Sequence, residues 1–404
     1  MLCSGDIGFG YDDYVTVMAL NHLLRYFLLL STIHLSNSSC SSGICERMSF
    51  LRNVGNKQNS FLHGYVIETM SLPTLDECFH MCLRKCQCLS FNFNDLNKTQ
   101  NCELNDATFK MYPEALKEKE GATYYEPARE YLDKNGFSRA TCSNHNCHNK
   151  CCEFSPCQHG GSCHEVCDVT KRRFHCTCPP AFSGYKCQYV LRSCKDVMKY
   201  KDVNIKGIYE IVGNSNNSFP VYCDFGSEPG MAWTLIQSHS LGNNGAFVGK
   251  PFYQHDMPIN QDTLDWSSYR LSTSRIKSIQ KVSTHWRATC NFITDGVDYR
   301  DYWRVSLTNL DLLVKPPTPD FCLFSEFVNV RGNECTNCTV LSAYSDVWTL
   351  HMDSWFGSSK GCEFNGLSGA VYNEDNFGNY EATNPAFRCT SSQSSTSQIW
   401  LGSF

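Results

Sequence analysis

A multidomain, disulfide-rich α+β architecture is expected of this chain on three grounds. Its 404 residues suffice for two to four domains. Its 26 cysteines are a density that a reducing compartment does not normally carry. They fall into three groups, from Cys40 to Cys102, from Cys142 to Cys187 and from Cys194 to Cys389, and the different spacings argue for separately stapled units. With 42% apolar and 19% charged residues the composition is that of folded domains. A net charge of -5 without long basic runs removes the electrostatic footprint of nucleic-acid binding, and no nucleic-acid partner is expected.

Residues 1–39 read as a leader. The first residues are acidic (Asp6, Asp12, Asp13), but from Met18 onward the order is that of a secretory signal peptide. His22 and Arg25 precede the apolar run Tyr26 to Leu30, which continues weakly through Ile33 and Leu35 to the small residues Ser36 to Ser39, where cleavage is expected. The run is about ten residues, against the ~20 that a helix needs to span a bilayer. Export to the extracellular space is expected, with no membrane insertion after cleavage.

The segment Leu72 to Lys85 carries a helix start: Thr74 is placed to cap, and Glu77 three residues on completes a capping box. Leu75, Phe79 and Leu83 repeat on one stripe of this helix, with Cys78 and Cys82 one turn apart on the next. A strand follows at Cys88 to Phe93, where Leu89, Phe91 and Phe93 alternate with smaller or polar residues. The helix with Cys78-x-x-x-Cys82, then Cys88-x-Ser-Phe-Asn-Phe93, then Cys102-Glu-Leu-Asn105 resembles a PAN/apple domain, with His63 to Val66 before the helix and Gly121 to Tyr125 as a closing strand. The resemblance implies a helix on an antiparallel sheet, bridges Cys78 to Cys102 and Cys82 to Cys88, and a protein- or glycan-binding role. Cys86 is additional to the pattern, with Cys45 as a plausible mate.

Between Cys142 and Cys152 the residues Cys142, His145, Cys147, His148 and Cys151 are competent zinc ligands, but no second Cys-x-x-Cys pair repeats at finger spacing and export favours disulfides. The next segment, Cys152 to Cys163 with Cys157 and Gly160-Gly161 between, then Cys176-Thr-Cys178 to Gly184 and Cys187, resembles an EGF-like domain of β-hairpins. So short a unit cannot bury enough surface to offset chain entropy, so it must be stapled. The resemblance implies Cys152 to Cys163, Cys157 to Cys176 and Cys178 to Cys187, and Cys142, Cys147, Cys151 and Cys167 are left with undetermined pairing. No calcium is expected, because Asn149-Lys150 supply no acid before the first cysteine. Ser162, directly before Cys163, resembles an O-fucose acceptor, an unmodified turn serine being the other reading.

Three strand-like runs follow, Gly207 to Ile211, Pro220 to Phe225 and Ala232 to Gln237, separated by turn-rich segments, and a small antiparallel sheet is the expected product. Ser193-Cys-Lys-Asp196, Gly207-Ile-Tyr-x-Ile211, Val221-Tyr-Cys-Asp224 and Trp233-Thr-Leu-Ile-Gln-Ser238 together look like the opening of a fibrinogen-related α+β domain, which implies a bridge from Cys194 to Cys223. Beyond Ser240 the resemblance fades. The aspartate-rich calcium loop, the cysteine-bounded acetyl-sugar pocket and the Gly-Gly-Trp-Trp run of that family are not found, so its lectin activity is not carried over. Asn373 to Gly378 is the nearest acidic turn and reads as solvated.

All seven tryptophans lie in this third unit, and most are expected in its core. Trp355, beside Asp353, is the best candidate for stacking on a sugar or a partner surface. Cys290, Cys322, Cys335, Cys338, Cys362 and Cys389 form an even set with 15 pairings, and Cys335-Thr-Asn-Cys338 reads as a structural bridge. Sequons at Asn97, Asn216 and Asn337 fall in polar, turn-like stretches suited to glycosylation.

The organisation expected is therefore a leader over 1–39, a PAN/apple-like domain over 45–126, a linker over 127–150, an EGF-like domain over 151–188 and a fibrinogen-like domain over 193–404. No nucleophile elbow, P-loop or dinucleotide fingerprint is present, and His164-Glu165 lacks the second histidine of a zinc protease. Neither catalysis nor a cofactor is expected. The function expected is extracellular binding or adhesion to proteins or glycans through the two terminal modules, the EGF-like module spacing them; the alternative is a soluble innate-immune lectin for microbial sugars.

Overall fold

The computed structural model describes residues 35–41, 44–50, 56–128, 131–132, 138–139, 149–168, 170–354 and 359–404. The chain divides into two compact units, Met1–Ala140 and Thr141–Phe404. The leader's apolar run lies outside the described residues.

In the first unit a five-stranded antiparallel sheet runs in the order Asn56–Leu62, Leu116–Tyr125, Ser90–Asn94, Cys102–Asn105, Val66–Met70. Helix α1 (Leu75–Arg84) begins where the Thr74 hydroxyl accepts from the Glu77 amide at 3.3 Å, which satisfies one of the unpaired amides of the first turn. The helix buries Cys78, Phe79 and Cys82 against Phe91, Phe93 and Leu104 of the sheet. The strand Ser90–Asn94 is covered on both faces, so Asn92 is only 3% exposed instead of facing water. Its amide replaces a ladder partner: Oδ1 accepts from the Leu62 amide at 2.9 Å, and Nδ2 donates to the Leu62 carbonyl at 3.1 Å and to Glu103 at 2.9 Å. Gly121 has φ of +76° beside a bulge in the long edge pairing, a conformation that residues with a side chain rarely adopt.

The second unit opens with two small hairpins, Ser162–Glu165 with Phe174–Thr177 and Phe182–Ser183 with Tyr189–Val190. The larger part is an eleven-stranded sheet, and the three runs expected to form a small sheet are its first three strands, Gly207–Val212, Ser218–Asp224 and Ala232–Ser240. The strand next in order is the last of the chain, Thr396–Ser403, inserted between Ala232–Ser240 and His285–Cys290. Gly402 is the close-approach point of that insertion, since a Cβ there would lie 2.3 Å from Trp233. Disulfide-rich as expected, the described chain is mostly sheet with few helices: in the second unit only α2 (Cys194–Lys201), α3 (Thr273–Gln280) and the single turn α4 (Phe292–Asp295) are α-helical among the described residues.

Trp233, Trp286, Trp303 and Trp400 are fully buried. Three of their indoles donate, Trp286 to the Leu310 carbonyl at 3.2 Å, Trp303 to Ser325 at 2.8 Å and Trp400 to Thr289 at 2.9 Å. The hairpins are not a free spacer. Tyr189 stacks on Tyr200 of α2 with centroids 4.3 Å apart, Ser183 donates to the Tyr200 carbonyl at 2.7 Å, and Lys201 donates to the Pro180 carbonyl at 2.6 Å. Short polar loops on both sides supply donors and carbonyls that the linear sequence does not reveal as facing one another.

Candidate recognition surfaces

In the first unit, Cys78 is bonded to Cys102 and Cys82 to Cys88, with Cα separations of 5.7 and 5.1 Å, and Cys86 is also disulfide-bonded. These staples hold the amino end of α1 beside the loop after Ser90–Asn94 and shape a groove of about 430 Å³. It is lined by Leu72 and Thr74 from the segment entering α1, by Phe93, and by Asp95, Asn97 and Lys98 from the loop that follows. The walls are latched. The Asn101 side chain accepts from the Leu72 amide at 2.8 Å and donates to its carbonyl at 2.7 Å, while the Gln100 amide donates to Ser71 at 2.9 Å. The lining thus combines apolar side chains (Leu72, Leu75, Phe93) with polar and charged ones, the mixture found in binding clefts.

Asn97 is exposed on the rim of this groove, and its Oδ1 accepts from both the amide and the hydroxyl of Thr99 at 3.1 Å. Asn216 is exposed in the turn between the first two strands of the large sheet. Asn337 is also exposed, but it lies within the strand Asn333–Ala343 and not in a turn, with a left-handed φ of 52° between the bridged Cys335 and Cys338.

Besides Cys335–Cys338, the second unit holds the bridges Cys152–Cys163, Cys157–Cys176, Cys178–Cys187, Cys194–Cys223, Cys290–Cys389 and Cys322–Cys362. Cys151 is disulfide-bonded as well. Ser162 is exposed at the start of the first hairpin, in a strand and not in a turn.

Trp355 lies outside the described residues. Asp353 ends the short strand His351–Asp353 and stands opposite Asp375, whose carboxyl is raised above its ordinary value chiefly by burial, with the charges of Asp353 and Glu381 adding. His351 Nε2 is 3.6 Å from Asp375 Oδ1. Among the described residues no group of three or more His, Cys, Asp or Glu side chains has the arrangement to hold a metal ion. The acidic turn at Asn373 to Gly378 is not solvated as expected: Glu374 is fully buried. It pairs with Arg331 and accepts from the Val371 amide at 2.9 Å, Asn376 at 2.9 Å and Asn384 at 2.8 Å. A carboxylate with an arginine and three further donors is a structural hub. Sequence reasoning also missed the exposure of Trp348 (40%) and Tyr372 (77%), because nothing local separates an exposed aromatic from a core one.

The first unit is built on covalent staples around small cores, the second carries its bridges around one large core, and no described helix is long and apolar enough to cross a membrane. So many disulfides are characteristic of proteins that fold in an oxidising, extracellular setting. Residues 53–129 match the PAN domain family. The chain thus contains a PAN domain, a module that binds proteins or carbohydrates in extracellular proteins.

Proposed function

We propose that this chain is a secreted, non-enzymatic binding or adhesion protein that engages extracellular proteins or glycans through its PAN domain and through a fibrinogen-like module over 193–404. The observation that carries the reading is the PAN domain itself, with a latched groove beside α1. The expected signal peptide starting at Met18 supports secretion. The three bridges among Cys152, Cys157, Cys163, Cys176, Cys178 and Cys187 around two hairpins support an EGF-like module over 151–188. The contacts of those hairpins with α2 favour a stiff tandem over a flexible spacer, and two weak faces on one chain gain avidity when both reach one surface.

The test is a screen of the full secreted protein against extracellular-matrix proteins and a glycan array. Binding to a protein that ignores simple sugars and chelators supports adhesion. Binding competed by simple sugars or lost on chelation moves the protein to the lectin reading. Hydrolysis of any arrayed ligand would overturn the non-enzymatic reading.

A further inference from the structure

We propose that the first hairpin of the second unit carries a two-histidine site for a borderline divalent cation, Zn²⁺ or Cu²⁺. His164 and His175 stand directly opposite each other in the pairing of Ser162–Glu165 with Phe174–Thr177. Both are exposed, and their rings stack with centroids 4.8 Å apart and planes 17° from parallel. Two residues further along, the Val166 amide donates to the Arg173 carbonyl at 2.8 Å. By the alternation of an antiparallel ladder, this makes His164 and His175 a hydrogen-bonded pair whose side chains leave the same face.

The backbone under the pair is fixed. The adjacent register partners Cys163 and Cys176 are bridged to Cys152 and Cys157, so the two histidine positions are held in place before any ion arrives. Imidazole suits Zn²⁺, Cu²⁺, Ni²⁺ and Fe²⁺, and of the divalent first-row ions Cu²⁺ binds such nitrogen sites most tightly. A second feature matches the support that ligating histidines use, in which one ring nitrogen is held by an acceptor and the other binds. His164 Nε2 is 3.0 Å from the Thr177 hydroxyl. With Nε2 protonated, the Thr177 oxygen accepts and Nδ1 keeps its lone pair for a metal.

Bonds of about 2.0–2.1 Å to one ion require the stacked His175 ring to turn so that one of its nitrogens converges with His164 Nδ1, a rotation open to an exposed side chain, while Thr177 keeps hold of the His164 ring. Two protein ligands fill half of a tetrahedral shell, and the remaining positions take water or a donor from a bound partner. The inference stands apart from the adhesion reading, since it concerns only this hairpin.

Titration of the full, oxidised protein with ZnCl₂ and separately with CuSO₄, followed calorimetrically, tests it. Wild type is expected to show one site that is weakened about tenfold or more by His164→Ala and equally by His175→Ala, with no further loss in the double variant, because either single change already removes chelation. Thr177→Val is expected to weaken binding by a smaller factor. If an alanine variant fails to fold, the His→Asn variant replaces it. Unchanged affinity in both single variants, or losses that simply add in the double variant as for unrelated ligands among the 13 histidines, would overturn the proposal.

Discussion

The guanidinium of Arg287 donates to the Asp224 carboxylate across 2.6 Å, with neither side chain more than 2% exposed. Its other amino group donates to Glu228 at 2.8 Å, and Glu228 also accepts from Arg304 at 2.7 Å and Tyr302 at 2.5 Å. The Arg287 charge lies 4.6 Å from the Trp233 ring and 4.8 Å from the Trp400 ring. Burial works against the charged form of Glu228, but Arg287 and the donors from Tyr302 and Arg304 more than offset it and hold the carboxyl below its ordinary value. The network ties the strand Ser218–Asp224 and the turn at Glu228 to two central strands of the sheet.

Removing one partner from such a network leaves charges buried without compensation, which costs about 3–5 kcal/mol. Arg287→Leu is therefore expected to destabilise the second unit by about that amount, and Arg287→Lys by less, since it keeps the charge but loses the two-armed geometry. Because all seven tryptophans lie in this unit, urea unfolding of the full protein followed by indole fluorescence reads it directly. A midpoint unchanged in Arg287→Leu would show that the network contributes nothing net.

His239 gives the pH dependence. The imidazole is 1% exposed and stacks on Phe247 at 4.6 Å. Burial, only partly offset by the Asn244 side chain and with the charge of Arg270 adding, pushes its pKa down from 6.5 to about 4. The unfolded chain thus takes up a proton below 6.5 while the folded protein stays neutral down to about 4. Stability from this group is complete above the unfolded value and falls with pH between the two, by about 3 kcal/mol at the lower end. His239→Phe is expected to flatten that limb while leaving stability at pH 7 within about 1 kcal/mol, as measured by urea midpoints across the range. An unchanged acid limb would assign it to other groups.

Asn92 is a third case. Asn92→Ala leaves the amide and carbonyl of Leu62 buried without partners, at a cost of about 2–3 kcal/mol. The expected signature is faster exchange of the Leu62 amide in the full protein, together with an earlier unfolding transition of the PAN domain. If Leu62 protection is retained, another group or a water has taken over its bonding.

What was readable in the sequence was local. Thr74 and Glu77 announce the start of α1 because a cap is complete within one turn, and Gly207 to Ile211 reads as a strand on its own residues. Asn92 misleads because alternation assumes one wet face, and only the tertiary fold covers both. The placement of Thr396–Ser403 has no local sign: its partners are Ala232–Ser240 and His285–Cys290, each more than a hundred residues away, and it reports burial but not neighbours. Glu374 reads as solvated because its counter-charge, Arg331, arrives from a distant strand end. The groove beside α1 combines both kinds of information, with walls from neighbouring segments and a latch, Asn101 to Leu72, that only folding brings together.

The docking of the hairpins on α2 supplies the last prediction. Tyr200 provides the stacked ring for Tyr189, its carbonyl accepts from Ser183, and beside it Lys201 reaches the Pro180 carbonyl. The chain between is itself tied in, since the Leu191 amide donates to the Ala181 carbonyl at 3.1 Å and the Val212 amide to the Leu191 carbonyl at 2.7 Å. An aromatic pair is worth about 0.5–1.5 kcal/mol beyond its burial, and the hydrogen bond to a charged lysine about 1.5–3 kcal/mol. Tyr200→Ala combined with Lys201→Ala should therefore loosen the joint without unfolding the hairpins, whose three bridges remain. Hydrogen exchange should rise at Leu191, and protease cleavage should appear between Cys187 and Cys194, while the disulfide map stays that of wild type. A double variant as protected at Leu191 as wild type would mean that the covalent path alone keeps the hairpins in place.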